Sequence, residues 1–274
     1  ERVQYVLDAL RGKKIAVVGD FHLDVYWDAD MRRASLSRET PHFARPVVRE
    51  RYEPGVGGVI TANLCALGAG TVYAFGAAGD DWRGAVLKER LQDQGVDLGF
   101  FKTVPKRVTP AYIKPMIHGY ESVQEDPRLD FQDPHDLPVN VERTLLHQLQ
   151  DCAGELDGIV VIDQVEERAG GMVTAAVRQN LSAVSLQNEA LPVLADSRSR
   201  IGLFRDVSVK ANRLEVARAL GAREPRDRQD AASMAAQLGK KTGGDVFVSM
   251  GAEGMVLSSG EDAGYVPAVP VAGE

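Results

Sequence analysis

Two carboxylates four residues apart, Asp20 and Asp24, stand in the segment GDFHLDVYW directly after the apolar run KIAVVG at 14–19. Ligands of open α/β sheets collect beyond the carboxyl ends of the strands, and carboxylates there accept hydrogen bonds from sugar hydroxyls. Asp20 serves equally as a cap for the following turn, and Tyr26 and Trp27 as packing residues. A second segment, PGVGGVITANLCALGAG at 54–70, sets Gly57 and Gly58 ahead of a helical stretch that carries Thr61 and Asn63. Such glycines permit positive φ and close backbone approach, while amides at a helix start are unpaired. The Asn63 amide both donates and accepts, which suits a neutral polyol; a plain glycine-rich turn before a buried helix is the alternative. In KANRLE at 210–215, Asn212 and Glu215 have the spacing of a capping box. The same pair could set an amide against nucleotide phosphate and a carboxylate, through water, against Mg²⁺, which keeps most of its waters. Finally VSMGAEG at 248–254 reads as a hairpin turn or as Ser249 and backbone amides facing phosphate oxygens.

Other chemistries drop out. No segment matches GxxxxGK[ST], and the glycines do not follow the first strand with dinucleotide spacing. The five histidines form no ligand-like cluster, and Cys65 and Cys152 lack metal spacing and read as reduced structural residues. A net charge of -7 offers no broad basic surface, so no nucleic-acid partner is expected, although Arg45, Arg49 and Arg51 could hold a small anion. No run is long and apolar enough for a bilayer and no secretory signal opens the chain, so the expectation is a cytoplasmic protein without a membrane partner.

The elements that position these segments alternate. Apolar runs at 14–19, 71–76, 156–163, 191–196, 206–212 and 245–251 read as buried strands, and MVLSS as a further strand after the turn. Helical patterns lie between them at 59–67, 81–93, 140–151, 169–182, 212–220 and 227–239. This order predicts one α/β domain with a mostly parallel central sheet covered by helices on both faces. Residues 40–51 and 110–117 mix prolines, aromatics and charges, and read as strands of a small projecting β lid. The proline-punctuated stretch holding Asp126, Asp130, Asp133 and Asp136 reads as an acidic solvated loop.

Taken in order along nearly the whole chain, the four segments resemble the ribokinase-type carbohydrate kinase family. GDFHLDVYW and RRASLSRETP look nearest to its bacterial heptose-phosphate kinase branch. The resemblance implies a ribokinase-like fold and ATP-dependent phosphoryl transfer to a hydroxyl of a sugar or sugar phosphate. By it Asp24, Gly57, Gly58 and Asn63 hold the sugar, and Asn212 and Glu215 lie beside phosphate, with Glu215 also placing Mg²⁺. Ser249, Gly251 and Gly254 form the nucleotide segment, and the lid supports a homodimer. It further implies a GAGD segment carrying the catalytic base. No such segment occurs in residues 1–274, so the chain is expected to be a kinase domain lacking its C-terminal part, with a non-catalytic sugar-binding protein as the alternative. IDQVEERAGG and DSRSR at 196–200 depart from the family pattern, the second being polar enough to meet phosphate.

Overall fold

A computed structural model describes residues 2–119, 121–166 and 170–269. In chain order the first half runs α1 (Arg2–Leu10), β1 (Lys14–Gly19), β2 (Phe21–Asp30), β3 (Val47–Val56), α2 (Gly57–Ala66), β4 (Thr71–Phe75), β5 (Ala77–Gly79), α3 (Trp82–Asp93), β6 (Lys102–Val104), β7 (Ala111–His118), β8 (Val123–Glu125) and β9 (Leu129–Phe131). The second half runs α4 (Val139–Cys152), β10 (Gly158–Asp163), α5 (Ala175–Gln187), β11 (Val193–Ser197), β12 (Ser208–Asn212), α6 (Arg213–Leu220), α7 (Arg228–Thr242), β13 (Val246–Ser249), β14 (Met255–Ser259) and β15 (Asp262–Val266).

Eight strands form the central sheet in the order β15-β14-β13-β12-β11-β10-β1-β4. Pairs from β4 to β13 are parallel, and β13-β14-β15 close the edge antiparallel. Period-2 alternation divides the strand residues between two faces. Ala16, Val161, Ala195, Val209 and Val248 pack under α4, α5, α6 and α7, whose Leu149, Leu181, Val216 and Leu238 are fully buried. Each such leucine contributes about 1.5–3 kcal/mol of burial. On the other face Val17 and Ala74 meet α2 and α3 through Leu64, Leu87 and Leu91. The helix expected over 169–182 begins later, at Ala175, where the Thr174 hydroxyl accepts from Val177 N. Both cysteines are free thiols, and no helix among the described residues is long and apolar enough to cross a membrane.

A second sheet, β3-β2-β7-β8 with β9 also on β7, projects as a lid-like extension. GDFHLDVYW, placed by the sequence only as the segment that follows the first strand, is mostly strand β2. Its alternation explains why: Leu23 and Val25 are fully buried toward the α3 core, while His22, Asp24 and Tyr26 face the other way. Strand β3 begins only at Val47; the stretch before it holds a single bridge, Leu36 to Phe43. Pro115 sits inside β7 at no cost to the ladder, because β9 pairs with residues 111–113 and β8 with 116–118. Nor is the acidic stretch simply solvated. Asp133 is buried and accepts from Val108 N at 2.7 Å and His135 N at 2.8 Å.

Candidate active site

The carboxyl ends of β1, β10, β11, β12 and β13 lie side by side in the parallel sheet. At the first of them Asp20 is buried and accepts from Met172 N (2.7 Å), Gln164 N (2.8 Å) and Val165 N (3.0 Å). Burial pushes its carboxyl above the usual range, and the three amides oppose that rise. Its place is to tie the end of β1 to the loop after β10. Next to it Asp163 is fully buried, held by the Ser197 hydroxyl at 2.7 Å and by Arg200, whose Nε lies 3.0 Å away. These two acids make the floor.

The lid supplies one wall. Asp24 on β2 lies 3.2 Å from Lys114 Nζ on β7, and the Lys114 ammonium sits 4.8 Å over the Tyr26 ring. The register Asp24↔Tyr112 and Tyr26↔Lys114 puts all four on one face of the lid. His22 completes the face, edge-on to Tyr112 at 4.6 Å and 3.8 Å from the Asp24 carboxylate. Gly55 makes room for it: a Cβ there would stand 1.9 Å from His22 Nε2. Arg128 stacks 4.3 Å over the other partner, Tyr112.

Burial pushes the His22 imidazole down to about 4, with Asp24 opposing and Lys114, Arg198 and Arg128 adding to the fall. The folded ring is therefore neutral where the unfolded one, near 6.5, takes up a proton. Stability from this group should be full above about pH 6.5 and should fall as pH drops toward 4. Urea midpoints at pH 7 and pH 4.5 measure the slope. His22→Phe, which keeps a ring against Gly55 and Tyr112, should flatten it; an unchanged slope would place the proton uptake elsewhere.

Between lid and far strands, Arg198 donates through Nε to Gln164 Oε1 at 2.6 Å. Its charge reaches His22 and Tyr112 on one side and Glu215 on the other, so it bridges the two halves of the cleft. Beyond it Lys210 pairs with Asp196 at 2.9 Å. At the end of β12 the capping box is present in full: Glu215 N donates to Asn212 Oδ1 at 2.9 Å and Asn212 N to Glu215 Oε2 at 2.7 Å. Burial raises the Glu215 carboxyl, with the Asn212 amide opposing. Ser249 on β13 stands level with Asn212 in the parallel register. The turn after Ser249 is a hairpin, as its sequence allows, with Gly251 at φ 62° and Gly254 at φ 96°. Gly254 is obligatory, because a Cβ would meet Val266 O at 2.1 Å. Arg213 reaches across to Glu253 and ties the start of α6 to this hairpin.

The structure thus gathers Asp24 at one end of the cleft and Asn212, Glu215 and Ser249 at the other. It treats the second segment differently. Gly57 and Gly58 are buried against protein, with Cβ positions 2.7 Å from Asp20 O and 2.2 Å from Pro54 Cβ. They seat the start of α2 on the turn after β1. Between Gly55 and Gly57, Val56 takes φ 36°, a costly conformation for a β-branched residue. Asn63 is exposed in the middle of α2, about 9 Å along the axis from Gly57. Of the three arginines seen as a possible anion site, two are instead paired: Arg45 with Asp126, and Arg51 with Asp28 at 3.1 Å. His22, Tyr112, Lys114 and Gln164 were not singled out from sequence. Only DSRSR carried a signal, through its unusual polarity at a strand end.

Among the described residues no group of three or more His, Cys, Asp or Glu is gathered for a metal. The donor set nonetheless fits a hydrated Mg²⁺: Glu215 keeps Oε1 outside the capping box and shares its field with Asp196.

The fold is that of an α/β protein with a mostly parallel central sheet and a lid-like β extension. The match to the pfkB family carbohydrate kinase model over residues 13–272 makes the chain a member of that family. It is similar to the bifunctional protein HldE of Azorhizobium caulinodans, at 29% identity over 249 residues, covering 89% of this chain and 49% of that protein. It is likewise similar to HldE of Campylobacter jejuni strain RM1221, at 29% over 183 residues, 67% of this chain and 35% of the relative. The chain therefore spans about half, or less, of the curated relatives it matches. In fold it is similar to Arabidopsis thaliana ribokinase complexed with ribose and ATP (TM-score 0.68, 17% identity, 96% of this chain and 80% of that one). It is similar also to Escherichia coli phosphofructokinase-2 in complex with potassium (TM-score 0.68, 20% identity, 95% and 79%).

Proposed function

We propose that this chain binds a sugar or sugar phosphate and ATP, as the ligand-holding part of a kinase that phosphorylates a sugar hydroxyl. The observation that carries this reading is the Asp24–Lys114 pair on the lid together with Arg198 after β11 and the Asn212–Glu215 capping box at the end of β12. Asp24 accepts from acceptor hydroxyls and Lys114 holds its charge in place. Asn212, Ser249 and the hairpin amides at Gly251 and Gly254 take the nucleotide phosphates. Arg198 stands between the two ligands, where a transferring phosphoryl group carries negative charge. Glu215, through Oε1, orients water around Mg²⁺. That ion, when bound, offsets charge on the phosphate oxygens. The deprotonating aspartate belongs, in this reading, to a segment outside residues 1–274. Homodimer contact is assigned to the lid, whose edge strand β3 exposes Val47 and Val48.

Binding and transfer are tested separately. Titration calorimetry of residues 1–274 should show saturable binding of Mg-ATP and of at least one member of a sugar and sugar-phosphate panel. Phosphoryl transfer should be feeble in residues 1–274 and appear once the polypeptide encoded next is included. Transfer absent from both, with sugar binding retained, would establish the non-catalytic alternative; binding of neither ligand would end the kinase reading.

A further inference from the structure

Helix α5 divides its residues between two faces. Val177, Leu181 and Val184 are buried in the main core, whereas Ala175, Arg178, Gln179 and Ser182 recur at helical spacing along another stripe. Opposite that stripe stand Leu203 and Arg205, from the connection that follows β11, and between the two banks lies a cavity of 300 Å³. A second cavity, of 200 Å³, shares Ala175 and Arg178 with the first and is lined further by Thr174, Arg200 and Asp136. None of Asp24, Lys114, Arg198, Asn212, Glu215 or Ser249 lines either cavity, so this trough is separate from the cleft described above.

Three guanidinium groups line the trough, and among the described residues a carboxylate answers only one of them. Arg200 is committed to Asp163. Arg178 donates through Nη1 to Val173 O at 2.9 Å, and Arg205 through Nη1 to Phe204 O at 2.6 Å and Gly202 O at 3.0 Å. These carbonyls fix both groups in place and cancel neither charge. Arg178 also reaches back past the Thr174 cap to a helix start that presents positive charge of its own and carries no acid in its first turn. Burial pushes the Arg178 guanidinium below its ordinary value, with Asp163 opposing the fall and Arg200 adding to it. The nearby acids leave this balance unchanged: Asp206 is taken by the Ser182 hydroxyl, and Asp136 lines the smaller cavity alone.

We propose that the trough beside α5 is a second ligand site, which binds a small phosphate-bearing anion between Arg178 and Arg205. Two unanswered guanidinium charges call for a dianion, which a phosphate group supplies and a single carboxylate does not. Each guanidinium presents several donors in a fixed fork, and the Nη1 bonds to Val173, Phe204 and Gly202 hold the forks ready before the ligand arrives. The cavity of 300 Å³ takes a phosphate group with a small organic remainder, or free phosphate alone. The site uses none of the residues assigned to acceptor or nucleotide, so it stands whatever the cleft binds.

The test titrates residues 1–274 with inorganic phosphate by calorimetry, and then maps which arginines the phosphate shields from phenylglyoxal, a reagent for guanidinium groups. At about ten times its Kd, phosphate should slow modification of Arg205, and of Arg178 where the reagent reaches it, about tenfold by mass action. Arg205→Gln changes an exposed side chain and should weaken phosphate binding about tenfold, the loss of one charge-assisted hydrogen bond. Arg178→Gln should do the same, with circular dichroism checking its fold. Both losses should persist in an Arg198→Gln background, which sets aside phosphate held in the cleft. Glucose 6-phosphate, compared with inorganic phosphate, identifies the source: tighter binding by the ester at Arg205 makes a phosphorylated metabolite the occupant, and equal or weaker binding makes it free phosphate. Shielding confined to Arg198 would overturn the proposal, as would a phosphate affinity that neither substitution changes. So would equal shielding of Arg205 by sodium chloride at the same ionic strength, which would reduce the effect to screening.

Discussion

Asp24→Asn should weaken acceptor-sugar binding about a hundredfold, the loss expected when two charge-assisted hydrogen bonds of about 1.5 kcal/mol each are given up. The substitution keeps the side chain's volume and removes the charge that Lys114 Nζ meets at 3.2 Å. Mg-ATP affinity should stay within about twofold, because Asn212, Glu215 and Ser249 lie at the other end of the strand row and are untouched. Calorimetric titration of both ligands against the variant decides it. Undiminished sugar affinity would remove Asp24 from the site, and a parallel loss of nucleotide affinity would point to a collapsed cleft. Lys114→Met offers the complementary reading: if Lys114 only steadies Asp24, the loss should be smaller than for Asp24→Asn.

Asp163→Ala should cost about 3–5 kcal/mol of folding stability, as removal of one member of a buried ion pair does. Asp163 is fully buried, and its carboxylate receives both the Arg200 guanidinium and the Ser197 hydroxyl. Removing it leaves the guanidinium with its charge and without its carboxylate, in a place where water has little access. Denaturant unfolding of Asp163→Ala, Arg200→Met and the double variant measures the coupling. The double variant should be less destabilised than the two single losses added together, since neither then leaves a lone buried charge. Strict additivity would mean that the pair contributes nothing beyond its separate contacts. A loss of this size is a large share of a domain's usual 5–15 kcal/mol.

The two acids were legible to different degrees. Asp24 announced itself by its spacing from Asp20 behind an apolar strand, and it faces the cleft. Asp163 closes the run LDGIVVID and gave no hint of a buried pair, because Arg200 comes from the far side of the next strand. Asn63 is a different case. Its residue type suits a polyol, but six residues of helix carry it about 9 Å away from the helix start. The lid is legible from prolines and charges at 40–51 and 110–117, while its central strand, Phe21–Asp30, receives no assignment from sequence. Alternation of Leu23 and Val25 with His22, Asp24 and Tyr26 is present in the sequence, but the neighbouring strand end marks Asp20 and Asp24 as ligand groups before it marks a strand.

Features written within one element or one turn are legible without any tertiary contact. The buried runs of β1, β10, β12 and β13 follow from unbroken apolar stretches, and the capping box follows from two residues three apart. The hairpin after Ser249 likewise needs only its glycines and flanking strands. Tertiary structure decided which of these ends face one another. Asp24 meets Lys114 only through the β2–β7 register, and a slip of one residue would turn either side chain to the opposite face of the lid. Arg198 links the two halves of the cleft only because β10 and β11 are neighbours with Asp163 level with Ser197. Apolar residues in a strand record that a face is to be buried, but the element that buries it is set by chain topology, which no local pattern encodes.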